Sequence, residues 1–580
     1  MKVKTIIKTG QLFMMAVLLA ACASEDIAQD KKKENGTEAP KGGVIFAANG
    51  PKASAKRLSI DGEEETADAK TRTYLKHTPG QGADAYWKSD DFIWVKDKNG
   101  TWQKSTAITL HDGGASAEFT LPGSKADYLD GCEVRYTGHG SSAFYATPES
   151  ATSVGLYKHY DFPTANDYTW AGHIGDCGSG KAKATGNPDK FNFTLAHKPA
   201  DLCFLPRCET AALAPNIQLT HIRLTATRRY NAPTSYMVAL FDFDGETIGP
   251  GAQGSAGSNV IDIDISDFPL TTAANPEANA TYVIVRPDKY DFKIEYTIKD
   301  PTTRNSTVVT DIRTGITLDK GNIYDVTVNL TVPQPPVPVP SLTPTNYYMW
   351  GAKNHYWYGY ENSQPSGHGG AGVYYPGGPG AGNQMNDRYY DNGGTGTHAS
   401  PARYDAKADA FGGMQGIPNA NELCWYVAKG DPHWLEGVFI HNGHLVRIYG
   451  GMWLRKKSAI VTYLKAHEGY PSTLTWNELK ESFRETITAA PIDARVTLYQ
   501  RFNYLVSYGL PSNLSDYFFL PALGFFDNGS INTYGSFGCY WSSSASPQTT
   551  NDAYRMTIRK SFIMMGAEYR SKGLSVQPFE

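Results

Sequence analysis

The sequence has no excess of basic residues. It contains 54 Lys and Arg residues against 58 Asp and Glu residues, which gives a formal net charge of -4. A protein that binds nucleic acid needs clustered Lys and Arg, because these side chains replace the counterions of the phosphate backbone. We therefore expect no nucleic-acid partner.

The sequence also lacks the short motifs of serine hydrolases and zinc ribbons. Residues 535–556 read "GSFGCYWSSSASPQTTNDAYRM" and include three consecutive serines, but this run holds neither a GxSxG nucleophile elbow nor a histidine. The seven cysteines form no CxxC pair, the usual spacing of a zinc ribbon. We expect a protein that is not an enzyme, with no cofactor and no bound metal.

Amphipathic helical periodicity is absent before residue 400. Short β-rich runs such as "AITLH" (Ala107–His111) stand there instead. The runs "DFKIEYTIKD" (residues 291–300) and "NIYDVTVNLTV" (residues 322–332) alternate apolar and polar residues. A period of two indicates strands with one buried face, so this half is predicted to be all-β, with two β-sandwiches in sequence.

The N-terminus has the features of a targeting segment. A lysine-rich start precedes the apolar run Leu12–Ala21, which is too short to span a bilayer, and the run ends in "LAAC". This pattern resembles a bacterial lipobox, with residues 1–21 as signal peptide and Cys22 as the lipidated residue. An ordinary signal peptide with an incidental cysteine is the alternative. We expect a lipoprotein that is anchored in the outer membrane and exposed at the cell surface.

Composition changes mark the remaining boundaries of the chain. Residues 22–43 are polar and without periodicity, which is typical of a flexible tether. Residues 333–345 are rich in proline and predict a semi-rigid linker. We expect a mixed α+β domain over residues 346–580.

Local signals predict three elements of this last domain. Pro418 opens a helix that ends near Gly430. Asn442-Gly443 lies between apolar residues and predicts a type I′ hairpin. Residues 472–487 predict a helix capped by Ser472 or Thr473.

The first half of the chain resembles the Mfa-like fimbrillins, which are subunits of type V pili. The matching pieces are "GGVIFAANG" (residues 42–50), "FNFTLAHKPADLCF" (Phe191–Phe204) and "KGNIYDVTVNL" (residues 320–330). The resemblance implies one sandwich lobe over residues 44–195 and a second over residues 196–332. It also implies other fimbrillin subunits as partners, joined by strand exchange.

The last domain resembles the FISUMP-type domain, which is taken to have a C-type-lectin-like fold. The matching pieces occur in order as "PNANELCWYV" (Pro418–Val427), "GGMW" (Gly450–Trp453), "FLPALGFFDNGSINTYGSFGCYWSSS" (Phe519–Ser544) and "YRSKGLSV" (Tyr569–Val576). In this resemblance Tyr540, Trp541 and the serines belong to the scaffold. The predicted fold class is therefore mainly β, with two fimbrillin lobes followed by an α+β lectin-like domain.

Candidate site residues come from the cysteines and from a glycine-rich aromatic stretch. Cys424 and Cys539 are the only cysteines after residue 333 and either form a disulfide or remain two buried thiols. His441 and His444 flank Asn-Gly and are interpreted as exposed turn residues rather than metal ligands. The rings that either bind a ligand or fill the domain core are Tyr356, Trp357, Tyr358, Tyr374 and Tyr375.

The functional hypothesis is a fimbrial subunit that acts as a tip adhesin. The C-terminal "LSVQPFE" reads as the closing strand of its own domain, so we expect no C-terminal strand for donation to a neighbour. Removal of the first strand, Val44–Ala48, would let the chain accept a strand. The ligand is a surface glycan or protein. The alternative is a surface glycan-binding protein that captures polysaccharide and is not part of a pilus.

Overall fold

The computed structural model describes the chain from residue 43 onwards, with gaps. The described residues are 43–48, 58–59, 63–64, 74–139, 149–231, 234–251, 257–336, 347–352, 354–359, 416–549 and 551–580. The lipidation candidate Cys22 and the candidate ligand residues Tyr374 and Tyr375 lie outside them. The predicted mainly-β fold class is confirmed.

The first sandwich is formed by two five-stranded sheets. The strands before residue 198 are β1 (Gly43–Ala48), β2 (Leu58–Ser59), β3 (Glu63–Glu64), β4 (Tyr74–Thr78), β5 (Gly82–Tyr86), β6 (Trp94–Lys96), β7 (Trp102–Lys104), β8 (Ala107–His111), β9 (Ser116–Pro122), β10 (Glu133–Tyr136), β11 (Ser153–Gly155), β12 (His159–Phe162), β13 (Gly178–Lys181), β14 (Lys183–Ala184), β15 (Lys190–Phe193) and β16 (Ala196–His197). One sheet has the order β14-β15-β1-β9-β8 and the other β16-β13-β10-β6-β7. Their alternate apolar side chains form one core, as Phe46, Phe119 and Val134 illustrate.

The second sandwich is also formed by two five-stranded sheets. The strands between residues 200 and 330 are β17 (Ala200–Arg207), β18 (Gln218–Arg229), β19 (Leu240–Phe243), β20 (Ile248–Gly251), β21 (Val260–Pro269), β22 (Thr281–Val285), β23 (Asp288–Lys299), β24 (Ser306–Leu318) and β25 (Ile323–Asn329). The sheets have the orders β12-β21-β18-β23-β24 and β22-β17-β25-β2-β3, and a three-stranded sheet β11-β19-β20 adds to them. The predicted alternation holds in β23, where every second residue from Tyr290 to Ile298 is buried.

The chain passes between the two sandwiches more than once. Strands β2, β3, β11 and β12 come from the first 162 residues but belong to sheets whose other strands begin at residue 200 or later. The predicted division at residues 195 and 196 therefore does not follow the sheets. Strand pairing over such distances depends on packing partners that a local sequence pattern does not identify.

The unit formed by residues 347–580, which we call the head, combines strands with the longer helices. Its strands are β26 (Tyr347–Tyr348), β27 (His433–His441), β28 (His444–Arg455), β29 (Arg501–Asn503), β30 (Ser507–Tyr508), β31 (Tyr517–Pro521), β32 (Phe525–Asp527), β33 (Ser530–Asn532), β34 (Phe537–Ala545), β35 (Asp552–Arg559), β36 (Phe562–Tyr569) and β37 (Leu574–Ser575). The two larger sheets have the orders β26-β37-β34-β35-β36-β29 and β30-β27-β28-β31. Strands β26 and β37 pair, so the two ends of the head meet in one sheet.

Helices are short in the described residues of both sandwiches and longer in the head. They are α1 (Ala171–Ile174), α2 (Pro276–Asn279), α3 (Ala420–Lys429), α4 (Lys457–His467) and α5 (Trp476–Leu479). The helix predicted after Pro418 is confirmed as α3, which has a capping box formed by Asn419 and Glu422 and ends at Gly430. No helix among the described residues is long and apolar enough to cross a bilayer.

One predicted helix is much shorter in the structure, and one helix was missed. The helix predicted over residues 472–487 is only the four-residue α5, capped by Thr475 and Glu478. The chain leaves the helix because Phe483 is buried and exchanges two backbone hydrogen bonds with Ile492. Helix α4 was not predicted from the sequence, although Ile460 and Leu464 form its buried face at the i, i+4 spacing.

Candidate functional site

The aromatic residues proposed as ligand contacts are mostly core residues. Trp357 is 0% exposed and Tyr356 stacks on Phe526, with ring centroids 5.4 Å apart. Trp357 also packs edge-on against Phe526 at 5.6 Å. A ring that is fully enclosed by protein has no face for a ligand, so the ligand role is wrong for Tyr356 and Trp357. Tyr358 is 49% exposed and stays a candidate.

The core position of Tyr356 and Trp357 was not predicted, because their partner in space could not be identified from the sequence. Tyr356 and Trp357 precede the structural neighbour Phe526 by a long segment of chain. Gly573 permits this packing, since a Cβ there would lie 2.5 Å from the Tyr356 ring. The core-filling alternative considered for these two rings is therefore the one found.

The two cysteines of the head are separate buried thiols in the structure. Cys424 lies on the buried side of α3, and Cys539 lies in a different apolar cluster with Trp350 and Trp541. Burial raises the pKa of the Cys539 thiol to about 11 and also raises the pKa of the Cys424 thiol well above its usual range. Both are therefore protonated at neutral pH and unreactive. The alternative of two buried thiols describes this structure, and the disulfide does not.

His444 of the "HNGH" turn belongs to a contact between the head and the second sandwich, whereas His441 is exposed as predicted. The predicted hairpin is confirmed, with Asn442 and Gly443 at φ 50° and 76° joining β27 to β28. His444 Nδ1 lies 2.9 Å from a carboxylate oxygen of Asp300, which also accepts the Leu445 N–H at 3.0 Å. Leu445 itself is buried in the core of the second sandwich.

Asp300 is held as an ionised carboxylate at this contact. Burial alone would raise its pKa, but hydrogen bonds from the Thr303 and Leu445 N–H groups and from His444 outweigh burial, and the pKa is lowered. The head is therefore docked by polar bonds to a buried charge and by an apolar side chain. This contact could not be predicted from local sequence patterns, because its two sides lie in different domains.

An exposed aromatic patch on the head is the best candidate for a binding surface. We define the aromatic patch as Phe502, Tyr504, Leu505, Tyr508 and Phe562. Tyr504 is 68%, Leu505 is 85% and Tyr508 is 64% exposed. The rings of Phe502 and Tyr504 stack nearly parallel at 6.0 Å, and Tyr504 lies 6.0 Å from Phe562. Flat rings that are exposed together stack on sugars or anchor a protein partner.

The aromatic patch is held in place by bonds beneath it. The Asn503 side chain donates to the Val427 carbonyl of α3 at 3.0 Å and accepts the Leu505 N–H at 2.9 Å. Lys560 lies 5.6 Å from the Tyr508 ring and pairs with Glu436, so charges border the apolar surface. Sequence reasoning missed this patch, although "RFNYLVSY" (residues 501–508) is a short run that is unusually aromatic.

A buried charge cluster joins the two sandwiches. His197 ends β16 in the first sandwich, and its Nδ1 lies 2.7 Å from Asp176 while its Nε2 lies 3.1 Å from Asp201 of β17 in the second. All three side chains are buried. Burial would lower the pKa of His197, but Asp201 and Asp176 outweigh it and raise the pKa to about 10. A protonated histidine thus links carboxylates from both sandwiches.

A protein-family model matches a small part of the chain, within the head. The family described as "Domain of unknown function (DUF8237)" matches residues 511–579, which include β31 to β37 of the head. No curated protein matches the chain.

Solved structures similar to the chain are named as adhesion and fimbrial proteins of Bacteroides. A "putative cell adhesion protein" from Bacteroides ovatus ATCC 8483 has 14% identity and a TM-score of 0.27, over 50% of this chain and 93% of that chain. Another from Bacteroides uniformis ATCC 8492 has 11% identity and a TM-score of 0.26, over 50% and 94%. A "fimbrial protein" from Bacteroides ovatus ATCC 8483 has 9% identity and a TM-score of 0.19, over 92% and 99%. These scores are too low for an inference about function.

Proposed function

We propose that the protein is a cell-surface lipoprotein and a non-enzymatic subunit of a fimbria, positioned at the tip with the head as the adhesive part. The observation that carries this proposal is the position of β1. It lies inside a five-stranded sheet, parallel to β15 and antiparallel to β9. Removal of β1 would open a slot with hydrogen-bonding edges on both sides, which is what an incoming strand needs.

The tip position is supported by the packing of the segments that could donate a strand. Strand β25 is followed by the linker and the head, and it is already paired with β17. Strand β37 pairs with β26 and β34, and Phe579 beyond it is buried in the core of the head. Among the described residues, these two segments are therefore committed to their own sheets. A subunit that accepts a strand and donates none ends a fibre.

The fimbrial role is tested by shearing fibres from cells and separating them from membranes. The chain should co-purify with the high-molecular-weight fibres and stay with them in mild detergent. Its presence only in the membrane fraction, together with polysaccharide binding, would instead support the second candidate function. That candidate is a surface glycan-binding protein outside any pilus, which the aromatic patch favours because exposed rings stack on sugars.

The lipid anchor gives a prediction at Cys22. Cys22→Ser should abolish labelling of the protein with radioactive palmitate and leave an unprocessed or mislocalised precursor, because the thiol is the group that accepts the lipid. Metabolic labelling followed by immunoprecipitation measures this. Cys539→Ser provides the matched control and should still be labelled. Palmitate incorporation into the Cys22→Ser chain would contradict the lipobox interpretation.

The adhesive surface gives a prediction at the aromatic patch. The double substitution Tyr504→Ala and Tyr508→Ala should weaken binding to cultured cells or to a printed glycan array by more than about 1 kcal/mol, roughly fivefold or more. Stability should change little, because both rings are mostly exposed. Tyr569→Ala, at the other end of β36 and 60% exposed, is the matched control. Equal loss of binding in the control would exclude a specific role for the patch.

A further inference from the structure

Four side chains of the types that bind metal ions come together from three separate segments of the chain. Asp90 and Asp91 precede β6, His139 follows β10, and His173 lies in α1. Asp90, His139 and His173 each offer one ligand atom, and these atoms all lie within 4.8 Å of one another. The sequence predicted no metal because these donors have no common motif or spacing.

The two imidazoles are brought together by a close approach of the backbone. The His139 N–H donates to the Gly172 carbonyl at 2.9 Å, next to His173. Gly138 has a φ of 70°, and a Cβ there would lie 2.6 Å from the same carbonyl oxygen. Only glycine allows α1 to approach the end of β10 this closely. The rings of His139 and His173 consequently lie 4.3 Å apart, centroid to centroid.

Asp91 fixes the orientation of the His139 ring. Its side chain is fully buried, and its Oδ1 lies 2.9 Å from His139 Nε2. The other oxygen accepts the Lys88 N–H at 2.6 Å, and the Tyr136 hydroxyl approaches Oδ1 at 3.4 Å. A metal-ligating histidine is usually bonded to a carboxylate in this way, which sets the ring angle and raises its basicity.

The distance between His173 and Asp90 fits a shared ion better than a direct bond. His173 Nε2 lies 3.6 Å from the Asp90 carboxylate, which is longer than a hydrogen bond. Two ligands bound at about 2.0–2.1 Å to one tetrahedral zinc stand about 3.4 Å apart. Asp90 is exposed and His173 is half-buried, so an ion can enter from solvent.

We propose that this group binds one Zn²⁺ ion through His139, His173 and Asp90, with Asp91 as the residue that positions His139. Two imidazoles and a carboxylate suit zinc and disfavour calcium and magnesium, which select all-oxygen sites. Three protein ligands leave one coordination position for water or for a donor from a partner. The ion would tie the loop before β6 and the end of β10 to α1, which lies between β12 of the second sandwich and β13 of the first.

The test is a titration with Zn²⁺ alone. It uses the full-length chain, purified in detergent and stripped of metal with a chelator. Calorimetry should show one equivalent bound per chain. The double substitution His139→Ala and His173→Ala should abolish this binding. The single substitution His173→Gln, at a half-buried position, should weaken it at least tenfold. Asp91→Asn should weaken it by about 10- to 100-fold while leaving the ligands in place.

The second sandwich offers a matched control for this titration. His159 and His221 also lie beside carboxylates, at 3.4 Å from Asp264 and 3.3 Å from Asp262. The double substitution His159→Ala and His221→Ala should leave zinc binding unchanged. X-ray absorption of the zinc-loaded protein should show two imidazole ligands. Absence of stoichiometric binding, binding that survives loss of both His139 and His173, or equal loss in the control would overturn the proposal.

Discussion

Replacing His197 with alanine should lower the free energy of unfolding of the two sandwiches by about 3–5 kcal/mol at neutral pH. The substitution removes the cation that Asp176 and Asp201 share and leaves two carboxylates buried without it. Urea unfolding measures the loss, and hydrogen exchange in peptides from residues 172–181 and 197–207 should locate it at the junction. His221→Ala removes a partly exposed histidine beside Asp262 and should cost less than about 1 kcal/mol.

The same histidine predicts a dependence of stability on pH. Its pKa is raised to about 10 in the folded protein, against about 6.5 in an unfolded chain. A raised folded-state pKa contributes stability in full below pH 6.5, and this contribution is lost as the pH rises towards 10. The difference in stability between the wild type and His197→Gln should therefore shrink from pH 6.5 to pH 9. A difference that stays constant over this range would show that His197 is not protonated in the fold.

The protonation of Asp176 affects stability at lower pH than that of His197. Burial raises its pKa to about 6, although His197 opposes the rise. Because this folded-state pKa is above the usual value of 3.8, the protonated carboxyl favours the fold, and its contribution is lost as the pH rises through 6. Measurements of the His197 effect therefore belong above pH 6.5, where Asp176 is ionised.

Trp357→Ala should destabilise the head by about 3–5 kcal/mol, because it deletes a fully buried ring and leaves a cavity against Phe526. Hydrogen exchange in the intact chain measures this loss of stability in peptides from residues 347–359 and 520–530. The measurement is local, so it does not require the two sandwiches and the head to unfold together. Exchange in β18 and β23 of the second sandwich should change far less.

The neighbouring Tyr358 supplies the control for this substitution. Tyr358 is half-exposed, so Tyr358→Ala should change exchange in the head only slightly. If Trp357→Ala leaves hydrogen exchange unchanged but weakens cell binding, the core assignment is wrong. Trp357 would then be a ligand-binding residue.

Sequence patterns correctly predicted strands, helices and turns that are determined by neighbouring residues. The alternation predicted in residues 291–300 lies almost entirely within β23, and the start and stop signals around Pro418 and Gly430 correspond to α3. Asn442-Gly443 became a hairpin because this dipeptide adopts positive φ at both positions. Such features depend on a few adjacent residues and can be read without knowledge of the fold.

Features that depend on distant partners could not be predicted in this way. The parallel pairing of β1 with β15, the contact of Leu445 with the second sandwich and the convergence of His139 with His173 all join segments far apart in the chain. The aromatic residues show the same limit. Composition alone cannot separate Trp357, which meets Phe526 in the core, from Tyr504, which remains at the surface.

Immunogold labelling of intact cells, with an antibody against the head, tests the proposed tip position most directly. Gold particles should lie at the free ends of fibres, one cluster per fibre, because a chain that accepts a strand and donates none cannot continue the polymer. Fibres from cells that lack the protein should carry no label. Particles spaced regularly along the shafts, or scattered on the cell surface apart from fibres, would contradict a tip adhesin.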